Sequence, residues 1–166
     1  IYANCKNIKD KSYEEYFKIL DKELIFLKNN WPINLPTAII HADLFIDNIL
    51  FVNNKISGII DFYFSCKDFI AYELALTANA WCFNKDGKFN HDNFKALIKG
   101  FNQSSFLNSE EKASMNVLLR GAAVRILVTR LYDKIFHPHD ALVELKNPKE
   151  YLNILKWHQE NNIKDL

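Results

Sequence analysis

Residues 37–64 read TAIIHADLFIDNILFVNNKISGIIDFYF, and the fold follows from how this run is parsed. Three polar anchors stand in otherwise apolar, strand-like sequence: His41-Ala42-Asp43, Asn48 and Asp61. Between the last two lies ILFVNNKISGII, which reads as a strand, an Asn53-Asn54 turn and a second strand. A hairpin of that length returns its two ends to the same place. Asn48 and Asp61 are therefore expected side by side, with Asp43 a few residues away.

The spacing has a chemical reading. Asp43 and Asn48 enclose four residues, the D-x-x-x-x-N spacing of a kinase catalytic loop, and Asp61 precedes Phe62 as a metal-holding Asp-Phe does in that template. Phosphoryl transfer needs a carboxylate placed to take the proton of the attacking hydroxyl. It also needs Mg²⁺ on the nucleotide's phosphates, and that hard ion prefers oxygen ligands such as a loop amide and a strand-end carboxylate. The expected roles are Asp43 as base, and Asn48 and Asp61 as metal ligands. His41, just before the base, is expected to brace its loop and to take no part in proton transfer. Taken singly these residues are ordinary, since an Asp ending a strand is commonly a turn former. In this order, with a hairpin between the last two, they form a kinase-like constellation.

The rest of the chain suits such a site. Its 166 residues are enough for one domain with a substantial core, and 49% hydrophobic with 25% charged residues is ordinary globular composition. A net charge of +1 offers no electrostatic case for a nucleic-acid or acidic-membrane partner. Cys5, Cys66 and Cys82 show no paired spacing and read as small core hydrophobes in a reducing compartment. No apolar run approaches a membrane span and no signal-peptide pattern appears, so a soluble, cytoplasmic protein is expected. Gly58, Gly87, Gly100 and Gly121 lie far apart, no strand carries a V-A-I-K-like lysine, and the first residue is Ile1. A kinase-like chain with this content is expected to be the second half of one, without its nucleotide-gripping lobe.

Around residues 37–64 the pattern is helical. Residues 1–11 read as a polar, irregular connection. Ser12 with Glu15 reads as a capping box for a helix striped by Tyr13, Phe17, Leu20, Leu24 and Leu27, ending near Asn30 before Pro32 and Pro36. Asp68 is expected to cap an apolar helix over 69–83, and Lys85-Asp86-Gly87 to mark a turn. Asn90 opens a helix striped by Phe94, Leu97, Ile98 and Phe101. Ser109, with Glu110 and Glu111, begins the longest helix, running to about Phe136 before Pro138. Pro148 stands at the first turn of a last helix reaching about Asn161. His137 and His139 lack a third ligand nearby and read as helix-end residues, not a metal site; His91 and His158 carry no argument. The expected class is α+β, mostly helical, with one small β-hairpin carrying the metal-binding residues.

Only three of the 21 basic residues are Arg, and all fall on the longest helix: Arg120, Arg125 and Arg130. In so Lys-biased a chain, Arg marks places that need a planar, two-pronged contact with carboxylate or phosphate. Steps of five residues turn about 140° on a helix, so the three cannot share a face, while Arg120 and Arg130 come within about 80° of each other. At most two are expected at a ligand and at least one in a structural role, the plain alternative for each being an ion pair with an Asp or Glu of a neighbouring helix.

The run at residues 37–64 resembles the choline kinase and aminoglycoside phosphotransferase superfamily, whose motif is H-G-D-x-x-x-x-N followed by I-D-F. Within that superfamily HADLFIDNILF, GIIDFYFSCKD, NAWC, LLRGAAVRILVTRLYD and KNPKEYLNIL resemble the C-terminal half of the homoserine kinase branch. The similarity covers about residues 37–158 and implies a two-lobed kinase-like fold, with Asp43 as base and Asn48 and Asp61 on Mg²⁺. It implies ATP-dependent phosphorylation of the L-homoserine hydroxyl to O-phospho-L-homoserine in threonine biosynthesis, with an Arg on the substrate carboxylate. A sister activity on choline, an aminoglycoside or a sugar is the nearest alternative, and a non-catalytic helical binding module the more distant one. Ala42 departs from the motif's Gly, so the backbone there must tolerate a Cβ.

Overall fold

The computed structural model describes residues 1–8, 10–84, 87–137 and 145–163. Residues 1–11, expected to be irregular, contain a short helix α1 (Tyr2–Lys6), whose Tyr2 hydroxyl donates to Asp21 at 2.8 Å. The next helix, α2 (Glu14–Asn30), is entered through a turn of 3-10 helix capped by Asp10, whose carboxylate accepts from the Ser12 N–H. The Ser12/Glu15 capping box is therefore not formed, because Asp10 takes the Ser12 amide first. The expected stripe is present, with Leu20 and Leu27 buried.

Strand β1 (Thr37–Ile40) leads into the His41–Asp43 loop. The hairpin is β2 (Ile49–Val52) and β3 (Lys55–Ile59), antiparallel, with Ile49 opposite Ile59. Asn53 and Asn54 at its tip have φ of 49° and 58°, the doubly left-handed turn that matches strand twist and that Asn tolerates. Asn48 and Asp61 lie just outside the strands, at the hairpin's mouth, joined through an Ile60 N–H donated to the Asn48 carbonyl at 3.0 Å.

A second sheet corrects the sequence reading. Residues Cys66–Phe69 form β4, antiparallel to β1, with Ile40 opposite Cys66 and Thr37 opposite Phe69. Helix α3 therefore begins at Ile70, not Phe69, and ends at Trp81 (Ile70–Trp81). Asp68 accepts from the N–H of Phe69 and is not the helix cap. Cys66, on that strand, is exposed, while Cys5 and Cys82 are buried as expected. All three are free thiols.

Helices α4 (His91–Phe101), α5 (Ser109–Phe136) and α6 (Pro148–Glu160) follow the expected boundaries. Each starts on an Asn: Asn90, Asn108 in a capping box with Glu111, and Asn147 ahead of Pro148. Of the turn expected at Lys85-Asp86-Gly87, Gly87 has φ +80° and donates its N–H to the Asn84 carbonyl at 2.8 Å, while Lys85, Asp86 and the stop at Pro138 lie outside the described residues. α5, about 42 Å long, packs against α3 on one side and α6 on another, burying Leu118, Leu119, Leu127 and Leu131. Gly121 is small for a reason: a Cβ there would run into the Trp31 indole. Three helices are also tied by polar atoms in the core. Asn79 of α3 donates to the Leu119 carbonyl of α5 at 2.9 Å, and its Oδ1 lies 2.8 Å from His158 Nε2 of α6. No helix among the described residues is long and apolar enough to cross a membrane.

Candidate active site

The loop after β1 is held by α3. Glu73, in the first turn of α3, accepts the N–H groups of His41 and Ala42, each at 2.9 Å on a separate carboxylate oxygen. Two helical turns on, the Trp81 indole N–H donates to the Leu44 carbonyl at 2.7 Å. One rigid helix thus fixes both ends of the segment that carries Asp43. From the opposite side Arg125 Nη1 of α5 donates to the Ala42 carbonyl at 2.5 Å. Ala42 adopts φ +63° while its methyl is buried. The Cβ that the sequence required this backbone to tolerate is thus held in the left-handed region, where alanine is strained, by three hydrogen bonds to the peptide groups around it.

Asp43 and Asn48 touch. Asn48 Nδ2 donates to the Asp43 carbonyl at 2.8 Å and to its carboxylate at 3.2 Å, so the amide's orientation is decided and Oδ1 is the atom left over. Burial pushes the Asp43 carboxyl above its ordinary range. The Arg125 guanidinium and the Asn48 amide pull it back, and nearby Asp61 adds to the rise. Asp61 has φ +62° and ψ +60°, a conformation that Asp enters more readily than most residues. Asn48 Oδ1 and the Asp61 carboxylate accept no hydrogen bond among the described residues. These are hard oxygen donors of the kind Mg²⁺ takes, few enough that the ion would complete its shell with water and phosphate.

His41 is buried and spans the site. Its Nδ1 accepts from the Asp43 N–H at 3.2 Å, which leaves Nε2 protonated to donate to the Ile60 carbonyl at 2.9 Å. The ring rests against Phe62, centroids 4.6 Å apart.

The three arginines part company. Arg120 forms a two-pronged pair with Glu23 of α2, at 2.6 and 2.8 Å, and stacks on Phe26. Arg125 braces the loop behind Asp43. Arg130 meets Glu150 at 2.6 Å and the Asn147 carbonyl at 3.2 Å, over the Tyr151 ring. A cavity of about 680 Å³ brings together Asp43, Asn48, Asp61 and Arg130; Arg120 and Arg125 do not line it. His137 also borders it, while His139 lies outside the described residues. A second cavity of about 550 Å³ adjoins through the shared residues Phe45 and Arg130. Sequence reasoning passed over Glu73 and Glu150, since a single Glu in a helix's first turn reads as a dipole partner. Only the loop folded onto Glu73, and the cavity beside Glu150, distinguish them.

The signature of the phosphotransferase enzyme family matches residues 3–107. The chain belongs to that family. Among curated proteins it is 45% identical over 159 residues to the homoserine kinase of Parvibaculum lavamentivorans, covering 96% of this chain and 50% of the relative. It is 50% identical over 140 residues to the homoserine kinase of Allorhizobium ampelinum, covering 84% and 44%. With that of Zymomonas mobilis the identity is 48% over 145 residues, covering 87% and 45%. The chain thus spans about half the length of the curated relatives it matches. The family match takes in all of residues 37–64, so the loop, the hairpin and the left-handed residues Ala42, Asn53, Asn54 and Asp61 lie within the matched part of the chain.

Proposed function

We propose that these residues are the base- and metal-carrying lobe of a homoserine kinase, a cytoplasmic enzyme that moves the γ-phosphoryl group of ATP onto the L-homoserine hydroxyl. The observation that carries this is the meeting of Asp43, Asn48 and Asp61 at one cavity, in a chain whose relatives bear that name. Asp43 takes the hydroxyl proton as the oxygen bonds to phosphorus and the bond to the ADP oxygen breaks. Asn48 keeps the Asp43 carboxylate turned toward the acceptor, and its raised proton affinity suits a base. Asn48 Oδ1 and Asp61 would hold Mg²⁺, which when bound draws charge off the transferred phosphoryl group. Arg130, which lines that cavity, would hold the substrate carboxylate. The nucleotide-gripping glycine loop and strand lysine have no counterpart in residues 1–166, so these residues alone are expected to show no turnover.

The test is steady-state phosphorylation of L-homoserine by the full-length enzyme, with choline, an aminoglycoside and a sugar as competing acceptors. Asp43→Asn should lower kcat by ~10²–10⁴ at little cost in ATP affinity. Asp61→Asn should raise the Mg²⁺ concentration needed for half-maximal rate. Preference for another acceptor overturns the substrate, and an identical metal response in both variants overturns the division of roles.

A further inference from the structure

The Arg130–Glu150 pair sits where the two cavities meet. Arg130 lines both, and Glu150 lines the smaller one. The two side chains are held very differently. Arg130 is 10% exposed and is held also by the Asn147 carbonyl and the Tyr151 ring, whereas Glu150 is 63% exposed. A pair with one end in solvent contributes little to stability and opens easily. The pair is therefore a fixed cation beside a carboxylate free to swing.

An α-amino acid carries the complementary charges, a carboxylate and an ammonium separated by one carbon. We propose that the Arg130–Glu150 pair is the receptor for the amino-acid end of the acceptor. On binding, the pair opens, Arg130 takes the carboxylate and Glu150 takes the ammonium. One ion pair becomes two and no charge is left unpartnered, which is the condition for burying charge cheaply. With its charged end held there, the acceptor's hydroxyl extends past Phe45 into the cavity that holds Asp43. Glu150 thereby confers the preference for a zwitterion over a simple hydroxy acid. In the free enzyme it also occupies Arg130 in place of the substrate carboxylate.

The inference rests on the homoserine kinase reading, and the full-length enzyme separates the two. L-homoserine, homoserinol (no carboxylate) and 4-hydroxybutyrate (no ammonium) are compared as substrates or competitive inhibitors of the parent, Glu150→Gln and Arg130→Lys. Loss of one charge-assisted contact is about ten- to a hundredfold in affinity. Glu150→Gln should weaken L-homoserine and homoserinol by that factor while 4-hydroxybutyrate binds as well or better, its competitor for Arg130 having gone. Arg130→Lys should weaken L-homoserine and 4-hydroxybutyrate and spare homoserinol. A common factor on all three ligands, or parental discrimination in both variants, makes the pair a clasp between α5 and α6 and overturns the inference alone. A parent inactive on L-homoserine overturns the functional reading and this inference with it.

Discussion

The imidazole of His41 donates from Nε2 to the carbonyl of Ile60 at 2.9 Å, while its Nδ1 accepts from the Asp43 N–H. One neutral ring therefore fastens the loop bearing Asp43 to the strand end that leads into Asp61. In the proposed roles Asp43 and Asp61 serve the same phosphoryl group, and this ring ties together the two segments that carry them.

Replacing the ring should disturb both functions together. His41→Leu leaves the Ile60 carbonyl and the Asp43 N–H, both only partly buried, without their partner, at no more than about 1–3 kcal/mol each. A shift of the order of 1 Å in the loop costs about 10²-fold in rate. The full-length variant should show a lower kcat and a raised Mg²⁺ requirement at once, read by titrating metal at saturating substrate. A lower melting temperature with unchanged metal dependence would make His41 a core residue only.

Ala42 tests how firmly the loop is held. Ala42→Gly relieves about 1 kcal/mol of left-handed strain and forfeits about 0.8 kcal/mol of methyl burial, so its stability should stay within about 1 kcal/mol of the parent. Ala42→Val adds a branched side chain at φ +63° in a closed site and should cost about 2 kcal/mol or more. Denaturant midpoints of the two variants decide it. Equal midpoints would mean that the loop can leave the left-handed conformation freely.

Arg120 and Glu23 should behave as scaffold. Glu23 is 2% exposed and takes a further hydrogen bond from Gln159 at 2.6 Å. Arg120→Met strands that carboxylate and should cost about 3–5 kcal/mol, while pairing the change with Glu23→Leu should recover most of the loss. A double-mutant cycle measures the coupling, and substrate discrimination should match the parent in every folded variant. A change in acceptor preference would place Arg120 at the site after all.

His158 makes the fold sensitive to acid. Its Nδ1 is buried without a partner, and burial, with Arg120 adding to it, lowers its pKa from 6.5 to about 3. Between those values the unfolded chain binds a proton that the folded one refuses, so this contribution is complete above pH 6.5 and drains away as pH falls toward 3. The slope is at most about 1.4 kcal/mol per pH unit for one proton. His158→Gln should be less stable at neutral pH and lose one proton's worth of that slope, measured by denaturation at several pH values. Equal slopes in parent and variant would place the acid sensitivity elsewhere.

Much of this protein could be read from short windows of sequence, because the physics there is short-ranged. Helix starts at Asn90, Ser109 and Pro148 follow from capping and from proline's missing N–H, although the cap of the longest helix is Asn108, one residue before Ser109. The Asn53-Asn54 turn follows from the tolerance of Asn for positive φ. The order Asp43, Asn48, Asp61 follows from a hairpin too short to separate its own ends. What stayed hidden depends on partners far along the chain. Strand β4 is four residues long and its pairing with β1 comes from ladder bonds to Thr37–Ile40, not from its own pattern, so its last residue read as helix. The three arginines look alike in sequence, one every fifth residue. Yet Arg120 ends on a carboxylate 97 residues away, Arg125 on a carbonyl 83 away and Arg130 on a carboxylate 20 away. Helix rotation alone determined that they must diverge. Which one braces the fold, which one holds the loop and which one opens onto a cavity was decided by the packing of α2, the His41–Asp43 loop and α6 around α5, because an arginine's role is set by the oxygen it meets.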